Sequence, residues 1–251
     1  MAYRALGSWL LGYPTASLAD VESAVKAARE IDQAATLMFV LTHTALTHLV
    51  SRNYAAAKRK SDELVAVAAD KGAVFWKVIG TMAQGWVFAL TGKASDATDL
   101  LTSGLDAFRS TGSTLWMPLH MSCLAIAHRD LKRLDEAWDC IGEAMTAIET
   151  TGERWYEAEV LRVAGEIAMT SPERDTAKAQ VFFDRALAVA RRQQARSWEL
   201  RAAMSMAKLW REQSQRDMAR DLLVPVYGWF TEGFDTLDLK DAKALLDDLH
   251  V

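Results

Sequence analysis

The chain has 251 residues, 51% of them hydrophobic and 25% charged, with a formal net charge of −4 and a pI near 5.8. That length can bury a sizeable core, and the mild acidity argues against non-specific nucleic-acid binding, which uses a basic surface to release counterions. No apolar run approaches the ~20 residues of a membrane span, Gly12-Tyr13-Pro14 ends the short apolar start before it could act as a signal peptide, and two cysteines, Cys123 and Cys140, make no disulfide framework. A cytoplasmic protein is expected, with no membrane or nucleic-acid partner.

The apolar spacing is helical from end to end, as in Val181, Phe182, Leu187, Val189 and Ala190, and strand alternation is absent. Residues 1–32 read as an incomplete helix pair ending at Asp32. Segments 33–72, 73–112 and 113–152 each close on a glycine, Gly72, Gly112 and Gly152, forty residues apart. A glycine just past a helix end adopts the left-handed conformation that caps the last carbonyls. Segments 153–195 and 196–233 close on Ala195 and Gly233, at intervals of 43 and 38. Residues 238–249 then read as a last helix, with Asp238 as its N-cap and Asp241, Asp247 and Asp248 facing water, covering an otherwise open end. Pro14 and Pro172 fall in connections and Pro118 early in a helix, whereas Pro225 lies inside one and predicts a kink.

Two columns of small residues fix the register. One is Ala45, Gly85, Ala125, Gly165 and Ala207; the other is Ala57, Ala97, Ala137, Ala179 and Ala219. Short polar connections such as "TGKASD" and "EQSQRD" lie between them. Small side chains at fixed places let two helices approach closely, so each unit is a helix, a tight turn and a second helix. The order "GWVFALTGKASDA", with Gly85, Phe88, Gly92 and Ala97, resembles the tetratricopeptide (TPR) pattern. The resemblance implies an all-α, right-handed α-solenoid of about six units with a C-terminal capping helix, a single domain over residues 1–251. A standard unit has about 34 residues, so each helix here is about a turn longer.

Residues 150–249 carry a closer resemblance. "TGERWYEAEVLRVAGEIAM" and "ARDLLVPVYGWFTEGFDTLDLKDAKALLDDL" are similar to the C-terminal TPR-like region of large bacterial regulators. In those proteins a class III adenylate/guanylate cyclase or helix-turn-helix activator domain precedes an ATPase domain and then a helical array. The resemblance implies a sensory or scaffolding array acting on such an output. Nothing in the chain matches GxxxxGK[ST], so the phosphate-cradling loop of the ATPase part is missing.

No catalytic or cofactor constellation stands out. His120 and Cys123, three apart, share a helix face and could form a nucleophile pair, but the same spacing suits two packing residues. The histidines are scattered and the cysteines lack metal-ligand spacing, so no metal or cofactor is expected. His48 and His128 stand in the column filled by Phe88 and Trp210, which predicts packing, as does the recurrence of Trp76, Trp116, Trp155 and Trp198 early in successive units.

In TPR arrays the first helix of each unit lines the concave face. Carried onto this chain, that orientation puts Phe39, Met82, Trp86, Ser122, Ile126, Arg129, Arg162, Arg201 and Lys208 in a groove, apolar in its first half and mostly basic in its second. Met and Trp make adaptable contact surface, and Arg suits bidentate binding of carboxylate or phosphate. The expectation is a non-enzymatic module holding a peptide or partner domain there. The alternatives are a sensor of an anionic metabolite and self-association through an exposed apolar N-terminal end.

Overall fold

The computed structural model describes residues 1–172 and 174–249, and among them every regular element is an α-helix. Helices α1 (Ala2–Leu10) and α2 (Pro14–Ile31) form the first hairpin, α3 (Ala34–Val50) and α4 (Tyr54–Asp70) the second, and α5 (Val74–Leu90) and α6 (Ala94–Ser110) the third. The fourth is α7 (Met117–Asp130) with α8 (Leu134–Thr151), the fifth α9 (Glu157–Thr170) with α10 (Thr176–Arg192), and the sixth α11 (Arg196–Glu212) with α12 (Arg216–Gly228). Helix α13 (Leu237–Leu249) packs on α11 and α12. The unit expected to be incomplete has both its helices, although α1 is short.

Most connections turn on one left-handed residue. Asp32, Gly72, Gly112 and Gly152 have φ of 54°, 63°, 74° and 73° between units; Arg52, Gly92, Lys132 and Ser214 do the same within them. After the fifth unit this residue is Gln194 (φ 56°) rather than Ala195, which instead precedes the first turn of α11. The small columns sit at the helix crossings. A Cβ on Gly85 would lie 2.9 Å from Leu101 Cγ, and one on Gly165 only 2.3 Å from the Phe183 ring. Helix α12 runs through Pro225 and stops at Gly228, four residues shorter than α10.

The odd-numbered helices lie inside and the even-numbered ones outside. Each inner helix packs on the next, and α11 packs back on α1. The solenoid therefore closes on itself after one turn. Consistent with that enclosure, every residue of Leu41–Val50 and of Pro118–Ala127 is buried, as expected for a helix surrounded on all sides.

Closure has its own chemistry. The Trp9 and Trp198 rings meet edge to face at 4.7 Å, and the Ser197 hydroxyl donates to the Trp9 carbonyl. The Ala16 amide donates to Glu232 Oε1 at 3.0 Å. Two left-handed glycines allow the approach. A Cβ on Gly12 would lie 2.5 Å from the Trp229 ring, and one on Gly233 would lie 2.1 Å from Pro14 Cγ. The N-terminal end expected to be open for self-association is thus covered by the chain's own last units. Asp238, expected as the N-cap of the last helix, lies instead within the first turn of α13, buried and paired across this seam.

Candidate functional site at one mouth of the ring

The inner ring is filled over most of its length and opens at one end into a polar cavity of about 220 Å³. Leu49 and Val50 from the end of α3, Leu90 from the end of α5, Glu166 from α9 and Lys208 from α11 line it, so this is the mouth where the inner helices terminate. Helix C-termini carry partial negative charge that favours cations. Arg201 uses that directly, donating Nη2 across the seam to the Val50 carbonyl.

The charges around the cavity hold one another. Arg162 donates Nε and Nη2 to Glu159 at 2.7 and 2.8 Å, and Nη1 to Glu166 and, at 3.4 Å, to Ser205 Oγ. Arg129 donates to Glu166 at 2.9 Å and to Asp130 at 2.8 and 2.9 Å. Arg201 grips Asp238 through Nε and Nη2, the latter at 2.7 Å, while its guanidinium lies 5.1 Å from both the Trp9 and Trp198 ring centres. Cation–π attraction adds to the ion pair in such a desolvated place. Arg52 completes the seam through Asp238 and Asp241.

Burial works against the charges of Arg162, Arg201 and Glu166, and their partners outweigh it. It opposes ionisation of Arg162 and Arg201, yet Glu159 and Glu166 in one case, and Asp238 and Glu159 in the other, keep both guanidinium groups more firmly protonated than usual. Burial alone would push the Glu166 carboxyl up, but Arg162 and Arg129 hold it below the usual carboxylate range. Burial raises the Tyr156 hydroxyl well above its ordinary value. The pocket is thus a pre-organised ion network. The exception is Lys208, which is exposed at the rim and forms no ion pair among the described residues.

The nine residues expected in one groove fall into three places. Arg129, Arg162, Arg201 and Lys208 meet at the mouth. Met82, Trp86, Ser122 and Ile126 are buried in the filled interior, where Trp86 Nε1 donates to His120 Nδ1 at 3.1 Å. Phe39 sits near the start of α3, in an aromatic set with Tyr3, His43 and Trp76. The expected continuous open groove is corrected: ring closure brings the inner helices into contact, and their apolar stripe becomes core. His120 and Cys123 belong to the same core. Burial lowers His120 to about 3 and pushes the Cys123 thiol far up, so neither the imidazolium nor the thiolate that a nucleophile pair uses forms readily there.

Sequence reasoning missed Arg52, Tyr156, Ser205, Asp238 and Asp241 as parts of the site. A signal was present for some of them. Arg129–Glu166, Arg201–Asp238 and Arg211–Asp248 are each 37 residues apart, a little less than one repeat. A cation followed by a carboxylate at that offset marks facing positions on neighbouring inner helices.

No family model matches the sequence, and a search of curated proteins finds no match. Among solved structures the chain is similar to a Podosopora anserina protein of nearly identical TPR-like repeats, provisionally assigned as a kinesin light chain. The two share 12% identity at a TM-score of 0.50, over 86% of this chain and 98% of that one. The likeness extends to the fold: this is an all-helical solenoid of TPR-like repeats.

Proposed function

We propose that the protein is a non-enzymatic interaction module that reads a partner protein at the mouth of its ring. The observation carrying this reading is the pocket itself, a pre-organised cluster of buried charges with one unpaired cation, Lys208, at its rim. Its size sets the mode of binding. Small-molecule sites usually span ~300–1,000 Å³, so about 220 Å³ suits a single anchoring side chain, with the rest of the partner on the rim. Because the arginines are already oriented, ordering costs fall on the partner, and a few anchors supply most of the affinity. The resemblance of residues 150–249 to helical arrays of bacterial cyclase- and activator-type regulators supports a regulatory, cytoplasmic role.

A second reading, a sensor for a small anionic metabolite, has the convergence of Arg162, Arg201 and Lys208 on one cavity in its favour. One experiment separates the two. Wild type and Lys208→Glu are used as baits in native lysate, and bound proteins and small molecules are both identified by mass spectrometry. Lys208 is exposed and forms no ion pair among the described residues, and circular dichroism checks that the variant, whose new carboxylate lies near Glu166, is folded. A protein depleted tenfold or more by the variant supports the module, and a small molecule so depleted supports the sensor. Identical recovery by both baits contradicts the site.

A further inference from the structure

The balance of charge at the mouth depends on one helix. Four cations line the cavity, Arg52, Arg162, Arg201 and Lys208. Four carboxylates answer them, Glu159 and Glu166 from α9, Asp238 and Asp241 from α13. Arg129, behind Glu166, has Asp130 as a second partner at 2.8 Å. With α13 seated the mouth is therefore neutral. Without it Arg52 and Arg201 lose the carboxylates to which they are hydrogen-bonded, and the cavity gains two uncovered cations.

Helix α13 sits in the mouth as a ligand would. Asp238 accepts from Arg201 Nε and Nη2 at 3.0 and 2.7 Å and from Arg52 Nη1 at 3.2 Å, and Asp241 accepts from the same Arg52 nitrogen. Arg201 leans on this one helix, since its Nη1 stands 4.0 Å from Glu159, beyond hydrogen-bond reach. At the far end of α13, Asp248 accepts from Arg211 at 2.7 Å. Between them Leu239, Ala242, Leu245 and Leu246 make a buried stripe of helical spacing. That stripe packs on α11 and α12, which are the only helices among the described residues that α13 packs against. The other face, with Lys240, Lys243 and Asp247, is exposed.

Nothing in this seat is specific to a covalently attached helix. A helix from another protein, with two carboxylates three residues apart beside an apolar stripe, makes the same ion pairs and buries the same face. We propose that α13 is an autoinhibitory occupant of the mouth, lending Asp238 and Asp241 to Arg201 and Arg52 until a partner's acidic amphipathic helix takes its place. The exchange is helix-in-groove recognition, and it rests on the reading of the mouth as the partner's site.

The test uses a labelled synthetic peptide of residues 236–249, the resident helix's own sequence, as a competitor in trans. A short tether gives the resident helix an effective concentration in the millimolar range, so wild type should bind the peptide weakly. By fluorescence anisotropy, Asp238→Asn/Asp241→Asn should bind it at least tenfold more tightly, and a peptide with the same two replacements should lose at least tenfold on that variant. Asp241→Asn alone, which keeps the buried Arg201–Asp238 pair, should give a smaller gain in the same direction. Circular dichroism checks that each variant is folded. Arg211→Cys/Asp248→Cys, which sits on the half-exposed outer pair, should bind the peptide until a short bis-maleimide joins the two cysteines, and not afterwards. The proposal is overturned if the peptide binds wild type and the variants equally, if it binds none of them, if the replaced peptide binds as well as the native one, or if cross-linking leaves binding unchanged. In lysate, a protein lost by the Lys208→Glu bait should also be lost by the cross-linked one. Its recovery by the cross-linked bait overturns the gating alone, whereas a Lys208→Glu bait that loses nothing contradicts the mouth itself.

Discussion

Gly165 and Gly142 both lie inside helices, and the structure gives them opposite roles. A Cβ on Gly165 would press into the Phe183 ring, while one on Gly142 meets nothing within 4 Å. Gly165→Ala should therefore destabilise by about 1–3 kcal/mol through overpacking. Gly142→Ala, on the exposed face of α8, should stabilise by about 0.5–1 kcal/mol through lower backbone entropy in the unfolded chain. Urea unfolding of the two variants checks both signs.

Histidines give the protein an acid weakness. Burial holds His48 at about 4 and His120 at about 3, against 6.5 when unfolded. A lowered histidine keeps its stabilising contribution above pH 6.5 and loses it as pH falls toward the folded value, because the unfolded chain takes up the proton first. Between pH 7.5 and 5 the two should together cost on the order of 4 kcal/mol, at ~1.4 kcal/mol per unit below 6.5 for each. Glu166, whose carboxyl is held low, begins to matter only below its ordinary value of 4.5. Unfolding midpoints at pH 7.5 and 5 measure this, and His48→Gln should remove about half the difference.

At the level of elements, the turns were legible because their chemistry is local. Gly72, Gly112 and Gly152 announce left-handed caps wherever they occur. The same requirement at Arg52, Lys132 and Ser214 left no trace, since these residues take up that conformation only because the flanking helices hold them there. The charged stripe was legible as charge but not as pairing. Arg201 reads as a free ligand-binding cation until α13 delivers Asp238 beside it. Asp238→Ala should leave a buried guanidinium without its main carboxylate and cost about 3–5 kcal/mol. Hydrogen exchange should show the loss concentrated in α1, α11 and α13, the helices this pair ties together. Uniform acceleration across all helices would contradict the seam's role as a local lock.

For the whole molecule, the repeat count and the helical hairpins follow from periodicity, but the ring does not. Whether six units make an arc or a closed turn depends on small rotations at each interface, summed over the chain. The residues that seal it, Trp9 with Ser197, are 188 positions apart. Closure decides where recognition can happen. It turns the apolar stripe of Met82, Trp86 and Ile126 into core and leaves the charged mouth as the surface on offer.

Closure is therefore the claim to test first. Ala16 and Glu232 meet across the seam through a 3.0 Å hydrogen bond, and the native Cys123 and Cys140 are buried. Ala16→Cys/Glu232→Cys, treated as a dilute native protein with a short bis-maleimide and read by mass spectrometry, should give rapid and nearly complete intramolecular cross-linking. A product cross-linked only between chains, or singly modified at each cysteine, would mean that the ends lie apart, and the ring with its seam-side pocket would have to be abandoned.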